Sequence, residues 1–86
     1  MSWAWEYEPS EEYVVGGENP APVTLVAQVE EKAGELVRAA EARYLDGPAF
    51  QGVGEGTRTA AVMDGLFLYL VVPRHERVYV LQVTAF

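Results

Sequence analysis

The thirty residues from Thr57 to Phe86, TRTAAVMDGLFLYLVVPRHERVYVLQVTAF, constrain the fold of this chain more than any other stretch. They read as a three-stranded antiparallel meander. Asp64-Gly65 is a strong hairpin signal, because a type I′ turn needs positive φ at both central residues. It would join Thr57–Met63 to Leu66–Val72. The polar run Arg74-His75-Glu76-Arg77 would then turn the chain into Val78–Phe86. The middle run, LFLYLVV, is apolar on both faces, as expected of a central strand.

The expected register follows from the turn. A two-residue loop pairs Met63 with Leu66, Ala61 with Leu68 and Thr59 with Leu70, all on one face. A four-residue second loop adds Tyr79, Leu81, Val83 and Ala85 to that face. A five-residue loop would instead send Gln82 into the core, so four is preferred. One face is then almost purely aliphatic and calls for a helix over it. The other gathers Arg58, Phe67, Tyr69, Gln82 and Thr84, and is expected to be open.

Upstream, Trp3, Trp5 and Tyr7 alternate with Ala4, Glu6 and Glu8, the pattern of a half-buried strand. Pro9-Ser10 breaks it. Glu11 to Val15 fits either a helical turn capped by Ser10 or a short strand at Tyr13-Val14-Val15, and Gly16-Gly17 ends it. Asn19-Pro20 supplies an N-cap and a first helical position, and Pro22 still fits the first turn. Val23, Val26, Val29, Ala33, Leu36, Val37, Ala40 and Tyr44 then recur at helical spacing. Gln28, Glu31, Glu35 and Arg38 form its solvated face, and Asp46-Gly47-Pro48 is the stop signal. Such a helix is longer than a six-residue strand, so it either overhangs the sheet or bends, with Gly34 the weak point. The expectation is a single α+β domain over residues 1–86: two layers, β-α-β-β-β order, the C-terminal meander covered by one long helix. Where the first strand joins the sheet stays open.

Composition narrows the chemistry. There are no cysteines, which excludes disulfides, thiolate metal sites and cysteine nucleophiles. One histidine disfavours a histidine-based metal site, so no metal and no cofactor is expected. Serine occurs only at Ser2 and Ser10, which disfavours a serine triad. Gln51-Gly52-Val53-Gly54-Glu55-Gly56 is glycine-rich, but it follows a helix and precedes a strand and no lysine follows, so it reads as a mobile connector and not a phosphate loop. No leader and no apolar run of ~20 residues is visible, so the chain is expected to be cytoplasmic and not bound to membrane.

The net charge of −7 is unevenly placed. Residues 1–31 hold seven glutamates and no basic residue, whereas residues 32–86 hold six basic and six acidic residues and sum to zero. Broad attraction to nucleic acid is disfavoured, although Arg58, Arg74 and Arg77 form a local basic spot.

The sequence resembles small RelE/ParE-superfamily toxins of bacterial type II toxin–antitoxin systems. The matching features are an opening strand with tryptophan, a helical segment, a glycine-bearing loop and the meander. The closest piece is Arg58-x-x-x-Val62-x-Asp64-Gly65-Leu66-Phe67-Leu68-Tyr69 with Val78-Tyr79-Val80-Leu81-Gln82-Val83. The resemblance implies an antitoxin partner and a target of either ribosome and mRNA or gyrase. It makes Arg58, Tyr69 and His75 the candidates for catalysis in a ribosome-dependent endoribonuclease. Arg58, Phe67, Tyr69, Arg74, Arg77, Gln82 and Thr84 are the candidates for binding. The position where the resemblance expects a second sheet arginine is near Phe67, and no C-terminal catalytic tail follows Phe86, so the expected ribonuclease site is incomplete. The alternative is a non-catalytic interaction module. Its acidic N-terminal third would bind a basic partner, and the sheet edge or the Trp3/Trp5 face would support a homodimer.

Overall fold

The computed structural model describes residues 3–45, 47–49 and 56–86. The chain runs β1 (Ala4–Tyr7), α1 (Glu11–Val15), α2 (Val23–Arg43), β2 (Thr57–Val62), β3 (Gly65–Val72) and β4 (Arg77–Ala85). One sheet of order β1-β4-β3-β2 is covered on one side by the helices, a two-layer α+β arrangement. β2, β3 and β4 form the antiparallel meander. β1 joins the free edge of β4 in parallel, with Trp5 opposite Val78 and Tyr7 opposite Val80.

The first hairpin turns one residue earlier than the sequence signal implies. Val62 pairs with Gly65, so Met63-Asp64 is the loop and Gly65 already belongs to β3. Neither Met63 nor Asp64 has positive φ, so the turn is not type I′. Gln28 explains the choice. Its side-chain amide donates to the Asp64 carboxylate at 2.9 Å and its carbonyl oxygen accepts from the Asp64 N–H at 2.9 Å, clamping α2 to the turn. Gln28 is thus not simply part of a solvated face. The pairing slides by two residues, an even number, so the residues expected to share a face still do.

The second loop has four residues, Pro73–Glu76, one position earlier than Arg74–Arg77. Tyr79 pairs with Leu70 on the expected face. A bulge then intervenes: Tyr69 pairs with Val80 but Leu68 with Gln82, which leaves Leu81 as the extra residue. Beyond it the faces of β4 exchange. Val83 turns toward the core, and Gln82 and Thr84 fall beside Leu68 and Leu66.

The helices cover the opposite face from the one expected. Phe67, Tyr69, Val71, Val78 and Val80 are buried beneath them with Leu25, Val29, Ala33 and Ala40 of α2. Leu66, Leu68, Leu70 and Val72 alternate with these and face away, half-buried by their neighbours in the sheet. Both faces of β3 are apolar, so the period-2 pattern alone carries no preference. The aromatic face wins because Phe67 and Tyr69 fill the space beneath a helix that offers only Ala33 and Ala40 at its centre and far end.

α1 resolves the ambiguity at Glu11–Val15 in favour of a helix, with the Ser10 hydroxyl accepting from the Tyr13 N–H at 3.2 Å. α2 starts at Val23 and not at Asn19-Pro20, with Pro22 at the N-cap (ψ 141°). The physical reason is Pro22 itself, whose ring disfavours the helical conformation for Ala21 before it. Ala21 is instead held by its N–H to the Val15 carbonyl at 2.9 Å. The shift exposes Val23 (84%) and buries Leu25 (1%), which the periodicity had passed over. The helix ends at Arg43, and the Tyr44 N–H returns to the Ala40 carbonyl at 2.8 Å. Gly47, with φ +35°, lies in a separate 3-10 turn, Gly47–Ala49, and does not cap α2. The expected connector at residues 51–55 lies outside the described residues.

α2 continues unbroken through Gly34. A Cβ added there would meet only the Arg38 Nη1 at 3.8 Å. Gly34→Ala is therefore expected to stabilise the fold by ~0.5–1 kcal/mol, read from chemical denaturation.

Candidate functional site

Arg58 and Tyr69 are opposite each other on β2 and β3, as their shared face requires. The face they share is the helix-covered one. They line a cleft of about 170 Å3 together with Ala40, Arg43, Tyr44 and Val71 at the C-terminal end of α2. Tyr69 is 8% exposed and Phe67 is fully buried. Phe67, expected on an open binding face, is a core residue in this structure. Trp3 stacks on Tyr44 with ring centroids 6.3 Å apart, and the Arg43 guanidinium lies 5.5 Å from the same ring. Trp3 is buried by that contact and does not present a free surface.

His75 goes elsewhere. It closes the β3–β4 loop, and its Nδ1 lies 2.8 Å from the Tyr79 hydroxyl. Tyr79 is on the open face, beside Leu70 in register and opposite Glu6 of β1. The sheet therefore stands between His75 and the Arg58–Tyr69 cleft. Cleavage through a ribose 2′-hydroxyl needs a base, a proton donor and a cation around one phosphate. The three candidates do not surround one point. Burial raises the Tyr79 phenol above its ordinary range, helped by the Glu6 and Glu8 carboxylates and opposed by Arg77. It stays protonated at neutral pH and is not a base there.

The binding candidates are split as well. Arg77 donates through Nε to Glu6 at 3.1 Å and through Nη1 to the Glu76 carbonyl at 3.0 Å, so it joins β4 to β1. Arg74 is exposed in the loop. Gln82 and Thr84 do not join Arg58 and Tyr69, because the Leu81 bulge moves them to the open face. Among the described residues, no three metal-ligating side chains converge, and no helix is long and apolar enough to cross a membrane.

What the bulge and the helix placement create is a different surface. The open face carries Leu66, Leu68, Leu70 and Val72 along β3, flanked by Tyr79, Gln82 and Thr84 of β4 and by Thr57, Thr59 and Ala61 of β2. Its only charged pair on β1 and β4 is Glu6 with Arg77, joined at 3.1 Å. An apolar sheet face without a second layer is unusual for a small domain, and patches of this kind mark interaction surfaces. The helical side offers a second concavity, about 420 Å3, between α1 and α2, where Val15, Val23 and Val26 are rimmed by Glu11 and Glu12. Sequence reasoning had placed the leucines in the core. The legible clue was β2, where Thr57 and Thr59 sit on the leucine face and Ala60 and Val62 on the other.

Another contact invisible in the sequence is the Tyr7 hydroxyl, which donates to the Glu30 carboxylate at 3.0 Å and ties β1 to α2. Burial, reinforced by that carboxylate, raises the Tyr7 phenol far above its ordinary range.

Comparisons with protein-family models, with curated proteins and with solved structures each gave no match to this chain.

Proposed function

We propose that this chain is a cytoplasmic RelE/ParE-like domain that acts by binding proteins and not as a ribonuclease, with the open sheet face as its docking surface. The observation that carries this reading is the uncovered row Leu66, Leu68, Leu70 and Val72 on the central strand, next to Tyr79. The element order, an opening tryptophan-bearing strand followed by helices and a C-terminal meander, supports the resemblance. The separation of His75 from Arg58 and Tyr69 argues against a phosphodiester-cleaving centre. An antitoxin is the partner class that the resemblance implies, with gyrase favoured over ribosome-bound mRNA as a target because Arg58, Tyr69 and His75 do not converge.

A second reading rests on the groove between α1 and α2, whose apolar floor and Glu11/Glu12 rim suit a basic amphipathic segment. Growth under tightly induced expression separates these readings, with wild type beside Arg58→Ala, Leu68→Glu and a Glu11→Gln/Glu12→Gln double variant. The docking-face reading expects arrest by wild type and Arg58→Ala and none by Leu68→Glu. Arrest lost only with Arg58→Ala would contradict it and restore a catalytic role. Arrest lost only with the double variant would move the site to the groove. Normal growth from wild-type protein that is folded and soluble would refute an active toxin.

A further inference from the structure

We propose that a second copy of this chain occupies the open face, giving a two-fold dimer in which two sheets pack leucine row against leucine row. This rests on the reading of that face as a docking surface and names its partner. Charge selects the occupant. A chain with a net charge of −7 repels its own copies through most of its surface. The glutamates of α1 and α2, Glu11, Glu12, Glu30, Glu31, Glu35 and Glu41, belong to the layer on the far side of the sheet. The open face carries Glu6, already paired with Arg77, and at its β1 edge Glu8, close enough to act on Tyr79. Among the described residues it is a broad apolar face through which two such chains can meet with most of their carboxylates turned away.

Area permits the same conclusion. The four strands, of 4, 6, 8 and 9 residues at ~3.3 Å along and ~4.8 Å across the sheet, give a footprint of roughly 430 Å2 per copy. Two copies bury ~860 Å2, below the area of a permanent complex and suited to a weak, reversible one. Sheets packed this way lie ~10 Å apart with their inner side chains interdigitated.

Charge also orients the two-fold axis. An axis across the strands would lay β1 on β1 and bring each Glu6 against its copy. An axis along the strands lays β1 of one copy over β2 of the other, so that Glu6, level in the sheet with Tyr79, Leu70 and Thr57, faces the uncharged Thr57 of the other copy. The second arrangement avoids like charges in apposition, and an isologous contact makes it twice over.

Sedimentation equilibrium of the purified full chain tests this. Wild type is expected to approach twice the 9.5 kDa chain mass as concentration rises through the micromolar range. Leu68→Glu buries an unpaired carboxylate in each copy and should weaken association by ~100-fold or more while leaving the helical circular dichroism unchanged. Because Leu68→Glu also alters the strand itself, Thr57 on the exposed edge supplies a second pair of variants. Thr57→Lys should tighten the dimer and Thr57→Asp weaken it, each ~3- to 10-fold, through the facing Glu6. A wild type that stays monomeric overturns the proposal. If a monomeric wild type still arrests growth and Leu68→Glu does not, the face serves another protein, and only self-association fails. If that phenotype ignores Leu68 as well, the docking-face reading fails too. A dimer indifferent to Leu68→Glu, or one that answers Thr57→Lys and Thr57→Asp alike, also overturns it.

Discussion

Phe67→Ala is expected to destabilise the fold by ~3–5 kcal/mol, whereas Leu68→Ala, one residue along the same strand, costs about 1 kcal/mol in dilute protein. The difference comes from the face each side chain occupies. Phe67 is fully buried between the sheet and α2, and its removal leaves a cavity that the surrounding valines and alanines cannot close. Leu68 is half-buried among its strand neighbours and has no layer above it. Stability of an 86-residue domain is on the order of 5–10 kcal/mol, so the first substitution removes a large part of it. Chemical denaturation of the two variants at low concentration is the check. Equal costs, or a larger cost at Leu68, would mean that the helix covers the leucine face.

Gly65→Ala is expected to cost about 3 kcal/mol, although Gly65 has an ordinary strand conformation. A Cβ at this position would overlap the Thr84 carbonyl oxygen and would lie 3.0 Å from the Leu25 Cδ1. The first obstacle is backbone, so β4 must move away from β3 at the point where Gly65 pairs with Ala85. The second is a side chain 1% exposed in the core. A shift of the unfolding midpoint by less than the equivalent of ~1 kcal/mol would show that this corner is loosely packed.

Gly65 illustrates how the sequence was legible for partly wrong reasons. Asp64-Gly65 does mark the hairpin, but the glycine serves close approach and not positive φ, and Gln28 sets the turn. Gln28 and Asp64 are 36 residues apart, and no local pattern announces such a clamp. The meander, the long helix and the four-residue second loop were all readable, because each rests on periodicity and breakers close in sequence. The parallel addition of β1 was not, because edge placement depends on packing across the whole chain.

The candidate site was less legible than the fold. A single extra residue at Leu81 exchanges the faces of β4 beyond it, so Gln82 and Thr84 part from Arg58 and Tyr69. A bulge has no reliable local signature in a run such as VYVLQVTAF. The choice between two apolar faces of LFLYLVV depends on the shape of the helix above. The small residues Ala33 and Ala40 on α2 leave room for Phe67 and Tyr69, and a purely aliphatic face is not thereby the inner one.

Hydroxyl-radical labelling of the wild-type protein across a concentration series, read residue by residue, distinguishes the two faces of the sheet. Labelling of Leu68, Leu70 and Tyr79 is expected in dilute solution, protection of the same residues as concentration rises, and no labelling of Phe67 or Val71 at any concentration. Labelling of Phe67 and Val71 with Leu68 and Leu70 protected in dilute solution would contradict it, because the helix would then cover the leucine face and leave no apolar surface for a partner.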